Sequence, residues 1–219
     1  MVATTFTGAD LREATFGGAD LTDADFTDAD LTSAGLTGTT LTGVTMSGAV
    51  LAGANLTGVN LSGIDLSGGS LAGANLTDAV LVAARLSGAD LTSSNFTGAT
   101  LDDADLRDAT LTDSVMSGAS MQRVKLGATP LEGVSMFGND LTQATLAGAS
   151  ITDSVLSESN LSGADLANAT LTDVTIANCN LAGASLVGAT ITGVNFTGCD
   201  LTGADFTGAT LTDVNLNDA

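Results

Sequence analysis

The chain has no histidine, no tryptophan and no tyrosine, and its 219 residues include one proline (Pro130), one lysine (Lys125), two cysteines and five basic residues in all. Without histidine, the side chain that most readily serves as a general base or metal ligand near neutral pH is missing. Two cysteines are too few for a disulfide framework. No run of 18 apolar residues is present, so a membrane-spanning helix is not expected. Residues 1–20 carry no apolar leader segment, so a signal peptide is not expected and the cytoplasm is the expected compartment. The five bases face 25 acids, for a formal net charge of −20. Such a surface repels nucleic acid and anionic membranes. The charge favours instead a basic protein surface that ordinarily holds DNA; residence in a saline cytoplasm would explain the same acidity.

What the chain does have is a beat of five. From Met1 to Leu216 every fifth residue is Leu, Phe, Met or Ile, 44 positions without a shift of phase. Neither the 3.6 period of a helix nor the 2.0 period of a strand divides this pattern. Taking the large apolar residue as position i, position i−2 is mostly Ala, as at Ala9, Ala14, Ala19 and Ala24. Position i−1 is Asp, Asn, Thr or Ser, i+1 mostly Thr or Ser, and i+2 mostly Gly or Asp. One large and one small residue facing inward suit a narrow coil interior, and the remaining three suit corners, where Gly, Asp and Asn tolerate left-handed backbone. Asp outnumbers Glu 22 to 3, and only Asp102 lies outside positions i−1 and i+2. Much of the acidity is therefore readable as turn chemistry.

Units such as ADLTG and ANLTG, and stretches such as GADLTDADFTDADLTSAG and GCDLTGADFTGATLTDVNL, resemble the pentapeptide-repeat proteins over essentially all 219 residues. The resemblance implies an all-β fold, a right-handed quadrilateral parallel β-helix (β-solenoid) with four units per coil. That gives about 11 coils of 20 residues in one solenoid over 1–219, about 53 Å long at the spacing of neighbouring strands. The last residues, VNLNDA, still follow the repeat, so no terminal helix is expected. The best-understood members of the family are acidic rods that engage DNA gyrase or related type II topoisomerases and protect them from quinolones; they carry a C-terminal dimerising helix and often a projecting loop. Twenty charges over about 53 Å is one per about 2.6 Å, against one per about 1.7 Å for duplex DNA.

An unbroken phase places residues 20 apart in one column. The face centred on Leu11, Leu31 and so on to Leu211 carries nine acids, that of Phe6 to Phe206 seven, and that of Met1 to Leu201 six; the face of Phe16 to Leu216 carries only Asp78, Glu158 and Asp218. This nearly neutral face shows Asn55, Asn75 and Asn95 in one column and Thr37, Thr57, Thr77 and Thr97 in another. Asp65, Arg85, Asp105 and Lys125 alternate in sign along one column, and Arg123 stacks over Asp103. These bases read either as a surface ion ladder, each pair contributing about 0–1 kcal/mol, or as a partner-binding patch. Residues 121–140 are the least regular, with Pro130 at i−1, Thr129 and Asn139 at the small inward site, and Phe137 facing out. Candidate partner contacts are therefore Phe137, Arg85, Arg107, Arg123, Lys125, Asn55, Asn75 and Asn95.

No catalytic, cofactor or metal site is expected. Cys179 and Cys199 lie 20 apart at the inward position, close enough to bridge but read as reduced core residues. Serine and threonine lack an activating base, and stacked acids such as Asp10/Asp30 and Asp153/Asp173 are poor cation sites without carbonyl ligands. Three non-enzymatic readings follow: a structural or protein-interaction scaffold, with end-to-end or side-by-side self-association; an acidic DNA mimic that binds gyrase or a type II topoisomerase; and binding to ice or another ordered surface. The last rests on Thr110/Thr112, Ser150/Thr152, Thr170/Thr172, Thr190/Thr192 and Thr210/Thr212, parallel hydroxyl columns that resemble those of insect antifreeze β-solenoids, interrupted by Pro130 and Glu132.

Overall fold

The computed structural model describes residues 4–219; Met1, the first beat of the repeat, lies outside them. The backbone winds so that residues 20 apart pair in parallel register, from Thr5–Asp25 to Asn195–Asn215. Each unit contributes three rungs. Around Phe26, the Phe26 N–H donates to Thr45 C=O (2.8 Å), Asp28 N–H to Ser47 C=O (3.0 Å), and Asp25 N–H back to Thr4 C=O (3.0 Å). Phe6 and Phe26 stack face to face at 4.7 Å between ring centroids, the spacing of neighbouring strands.

The corners follow from residue chemistry. Where the fourth residue is Ala, a tight turn closes on it, as when Ala29 N–H donates to Phe26 C=O at 3.0 Å. The third residue of these turns holds positive φ. All ten Asp residues at i+2 adopt it, among them Asp23, Asp78 and Asp213 with φ of 58, 56 and 53°. At i−1, a carboxylate or amide oxygen accepts from the N–H two residues on: Asp30 Oδ1 takes the Thr32 N–H (3.0 Å) and hydroxyl (2.5 Å), and Asn75 Oδ1 the Thr77 N–H (3.1 Å) and hydroxyl (2.7 Å). The lumen is filled by the large residues and the Ala column, buried from Ala24 to Cys199.

One corner changes partway along. Five extended segments, β1 (Leu131–Glu132), β2 (Ser150–Thr152), β3 (Thr170–Thr172), β4 (Thr190–Thr192) and β5 (Thr210–Thr212), form a parallel sheet in the order β1-β2-β3-β4-β5. The following inward residues are Val134, Ser154, Val174, Val194 and Val214, where earlier coils have Ala or Ser. Four of the five are bulkier than their predecessors, and they coincide with the more open corner. Polar inward residues bridge such corners from the next coil. Ser154 Oγ accepts the Val134 N–H (3.0 Å) and donates to Leu131 C=O (2.9 Å). Ser159 Oγ does the same for Asn139 N–H (3.0 Å) and Met136 C=O (2.6 Å).

The expected irregularity in 121–140 is present. Gly127, rather than residue 128, takes the positive φ, at 53°, and Thr129 Oγ1 receives the Asp108 N–H (3.0 Å). Pro130, with no N–H, makes no bridge to Thr110. A second fault was not anticipated. Thr40–Asn60 and Thr45–Asp65 form no bridge, although Gly35–Asn55 and Val50–Ser70 on either side do. Inside the wall at this point, β-branched residues stack on β-branched residues at two adjacent corners, Thr39 under Val59 and Val44 under Ile64. Both corners keep their turn bonds, Val44 N–H to Leu41 C=O stretched to 3.3 Å, so the added volume parts the coils instead of opening the turns.

Candidate docking face

The register places every sequence-predicted contact residue. Asn55, Asn75 and Asn95 pair in succession along the column that continues through Val115, Ser135 and Val155. Phe137 stands on the same face, 43% exposed, and Val115 is 38% exposed. They are two of the four exposed large apolar residues among those described; the others are Leu211 and Leu216. The Phe137 carbonyl still accepts from Gly118 N–H (2.8 Å) and Gly138 N–H donates to Ser157 C=O (3.0 Å), so the ring projects from intact backbone. The Ser157 hydroxyl, next above Phe137 in its column, is buried without a hydrogen-bond partner. This face joins exposed apolar side chains to low charge.

The bases lie elsewhere and are mostly engaged. Arg123 forks onto Asp103 one coil below, Nε to Oδ1 and Nη2 to Oδ2, both at 2.8 Å. Arg85 meets Asp65 at 3.3 Å, as the column predicts. Asp105 is instead taken by Arg107 of its own unit, Nε at 2.9 Å and Nη2 at 2.6 Å. The alternating ladder therefore stops at Arg85, and Lys125 makes no ion pair within 4.0 Å among the described residues. Apart from half-buried Asp105, the groups in these pairs are solvent-exposed, and exposed pairs stabilise by about 0–1 kcal/mol each.

The acids of the other faces are anchored in turns. Asp25 accepts the Thr27 hydroxyl (2.6 Å) and N–H (2.9 Å), with the Thr45 (2.9 Å) and Thr7 (3.0 Å) hydroxyls from the coils either side. These bonds, the Thr27 hydroxyl foremost, hold its carboxyl well below the usual range. The Arg12 guanidinium does the same for Asp10, lowering it to about 2. Among the described residues no group of three or more Asp, Glu or Cys side chains converges as a metal site would require.

The repeat pattern of the family described as pentapeptide repeats (8 copies) matches residues 1–38, 29–68, 60–98, 70–108, 89–127 and 99–136, and that of a pentapeptide repeat region matches 149–219. The chain belongs to the pentapeptide-repeat family. No curated protein matches it in sequence. Among solved structures, HetL, a pentapeptide-repeat protein involved in heterocyst differentiation regulation in the cyanobacterium Nostoc sp. strain PCC 7120, is similar with a TM-score of 0.62 and 28% identity, covering 95% of this chain and 87% of HetL. Rfr23 of the cyanobacterium Cyanothece 51142 is 27% identical over 44% of this chain and 63% of its own, with a TM-score of 0.38. A structure of the plasmid-mediated fluoroquinolone resistance protein QnrB1 is 21% identical over 75% of this chain and 83% of its own, with a TM-score of 0.40.

Three further features of this pentapeptide-repeat rod bear on function. At the ladder fault a cavity of about 420 Å³ opens between Thr39, Thr40, Leu41, Thr42 and Gly43 below and Asn60 and Ser62 above. The stacked bulky pairs were the sequence signal for it. The hydroxyl rows of the open corner are also in register: Ser150, Thr170, Thr190 and Thr210 in one column, Thr152, Thr172, Thr192 and Thr212 in the other. Cys179 and Cys199 are free and buried. Cys199 Sγ donates to Ile176 C=O (2.9 Å) and receives the Cys179 N–H (3.4 Å), a thiol version of the Ser154 bridge. Burial pushes the Cys179 thiol up to about 12, which makes a thiolate nucleophile unavailable at neutral pH.

Proposed function

We propose that the chain is a non-enzymatic interaction rod that docks a protein partner on its nearly neutral face, anchored at Phe137. The observation that carries this reading is the coincidence of the exposed Phe137 and Val115 with the face that has the fewest acids. Aromatic residues that can be buried in a partner's pocket dominate interface energies, and a face with only three carboxylates can be desolvated at lower cost than its neighbours. Asn55, Asn75 and Asn95 supply hydrogen-bonding groups on the same strip. Arg85, Arg107 and Arg123, already paired with carboxylates, contribute less. Partner capture by the intact rod should be lost in Phe137→Asp and kept when Thr92 of the most acidic face becomes Glu. A partner of the gyrase type, held by the acidic faces, would be captured equally by wild type and Phe137→Asp, with gyrase supercoiling inhibited equally by both.

The hydroxyl rows on β2–β5 favour a second reading, adsorption to ice or another ordered surface. Four successive coils repeat an outward Ser or Thr on each side of an apolar centre, buried in the first three, and the common register makes the array periodic. Threonine also suits any β surface. Thermal hysteresis and faceted ice growth that vanish in Thr172→Lys/Thr192→Lys would establish it, and unmodified ice growth in wild type would dismiss it.

A further inference from the structure

Resting on the docking reading above, we propose that a partner of the neutral face is a second copy of the chain, packed side by side and antiparallel. Two rods of −20 repel, and on three of four faces contact would set carboxylates against carboxylates. Only the face of Phe16 to Leu216 avoids this.

Geometry then selects an orientation. The eleven centres of this face run from Phe16 to Leu216, and the exposed pair falls at the middle of that run, Val115 beside centre Met116 and Phe137 beside centre Met136. A two-fold axis across the face, between those two coils, maps each column onto itself in reverse order, as an isologous interface requires. Phe137 then lies over Ser117 of the second copy, next to the other Phe137, and Val115 over Ser135. The same operation sets Asp78 opposite Asn178, Glu158 opposite Gly98 and Asp218 opposite Gly38. No carboxylate of the face meets another, and Asn178 brings an amide donor to Asp78. Because the patch is central, ten of the eleven centres overlap.

Area sets the strength. Three outward residues at about 3.3 Å each, over a rod of about 53 Å, give about 500 Å² per copy and about 1,000 Å² in all. That is the lower limit for a specific interface, so the dimer is weak and concentration-dependent. Salt should strengthen it by screening the flanking acidic faces.

Sedimentation equilibrium of the full chain in 0.15 and 1 M NaCl (about 8 and 3 Å Debye length) tests this. Wild type should approach twice the 21.4 kDa chain mass as concentration rises, more readily at high salt. Phe137→Asp should weaken association about tenfold or more with an unchanged circular dichroism spectrum, and Thr92→Glu should not. A wild-type mass of one chain at every concentration in 1 M salt overturns the dimer, as does association that Phe137→Asp leaves intact. If the wild type is monomeric yet captures a different protein in a Phe137-dependent way, the docking reading stands and only the self-association fails.

Discussion

Oδ1 of Asp78 lies 2.5 Å from where a Cβ on Gly98 would stand, one coil above. The relationship recurs for Asp23 and Gly43, Asn178 and Gly198 (2.5 Å), and Asp173 and Gly193 (2.5 Å). An Asp or Asn side chain at the left-handed corner leans over the next coil and leaves room only for glycine. Two exceptions have visible causes. Asp103 turns outward to Arg123, and above Asp108 the positive φ has moved to Gly127. Nothing in the structure explains Asp153 beneath Asp173.

Gly98→Ala should therefore cost more than a comparable change at Gly118, where φ is +70° but nothing lies within 4 Å of the added Cβ. The left-handed backbone alone costs a non-glycine residue about 1–2 kcal/mol, and the Asp78 contact adds to it. Urea denaturation should rank wild type, then Gly118→Ala, then Gly98→Ala. Adding Asp78→Gly to Gly98→Ala should recover the steric part only; equal losses at both glycines would refute the contact.

The ladder fault should be visible in amide hydrogen exchange. Leu41, Gly43, Asn60 and Asp65 should exchange far faster than their equivalents one coil later, Leu61, Gly63, Val80 and Arg85, whose N–H groups are bonded. Shrinking the stacked pairs with Thr39→Ala/Val44→Ala should bring protection back. If the double variant exchanges as fast as wild type, the bulk at these corners is not the cause.

Stability should fall as pH drops from about 4 to about 2. Asp10, Asp20, Asp25, Asp30, Asp200 and Asp205 all have folded values below the ordinary 3.8, through Thr hydroxyls and N–H groups or, at Asp10, Arg12. A depressed folded value means the unfolded chain binds protons first, so this stability is complete above the unfolded value and lost as pH falls through the folded ones. The denaturation midpoint, followed across that window at constant ionic strength, should decline; a rise would mean relief of repulsion outweighs the turn bonds.

Cys199→Ser should be nearly neutral, because a hydroxyl can span the same Ile176 carbonyl and Cys179 N–H. Cys199→Ala leaves both without that partner and should cost about 1–3 kcal/mol. Both thiols should resist a thiol reagent until the chain unfolds. Rapid labelling of the native protein would contradict the buried bridge.

The phase of the repeat made columns and faces legible in advance: Phe137 out, Cys179 and Cys199 in, Arg123 over Asp103. Pairwise choices within a column were not legible, since Arg107 sits two residues from Asp105 and reaches it before Lys125 does. Nor was the fault at Thr40–Asn60 anticipated, because stacked β-branched inward residues do not part the coils everywhere: Val174, Val194 and Val214 stack beside an intact ladder at the open corner. The change of corner at β1–β5 had a signal in the Val residues that follow it.

Docking and self-association both depend on which face of the rod is covered. Hydroxyl-radical footprinting of the full chain, dilute and concentrated, measures this directly through oxidation of Phe137. Protection of Phe137 should grow with protein concentration while the Thr residues of the acidic faces stay equally reactive. Constant Phe137 oxidation, with protection arising on the acidic faces, would contradict it.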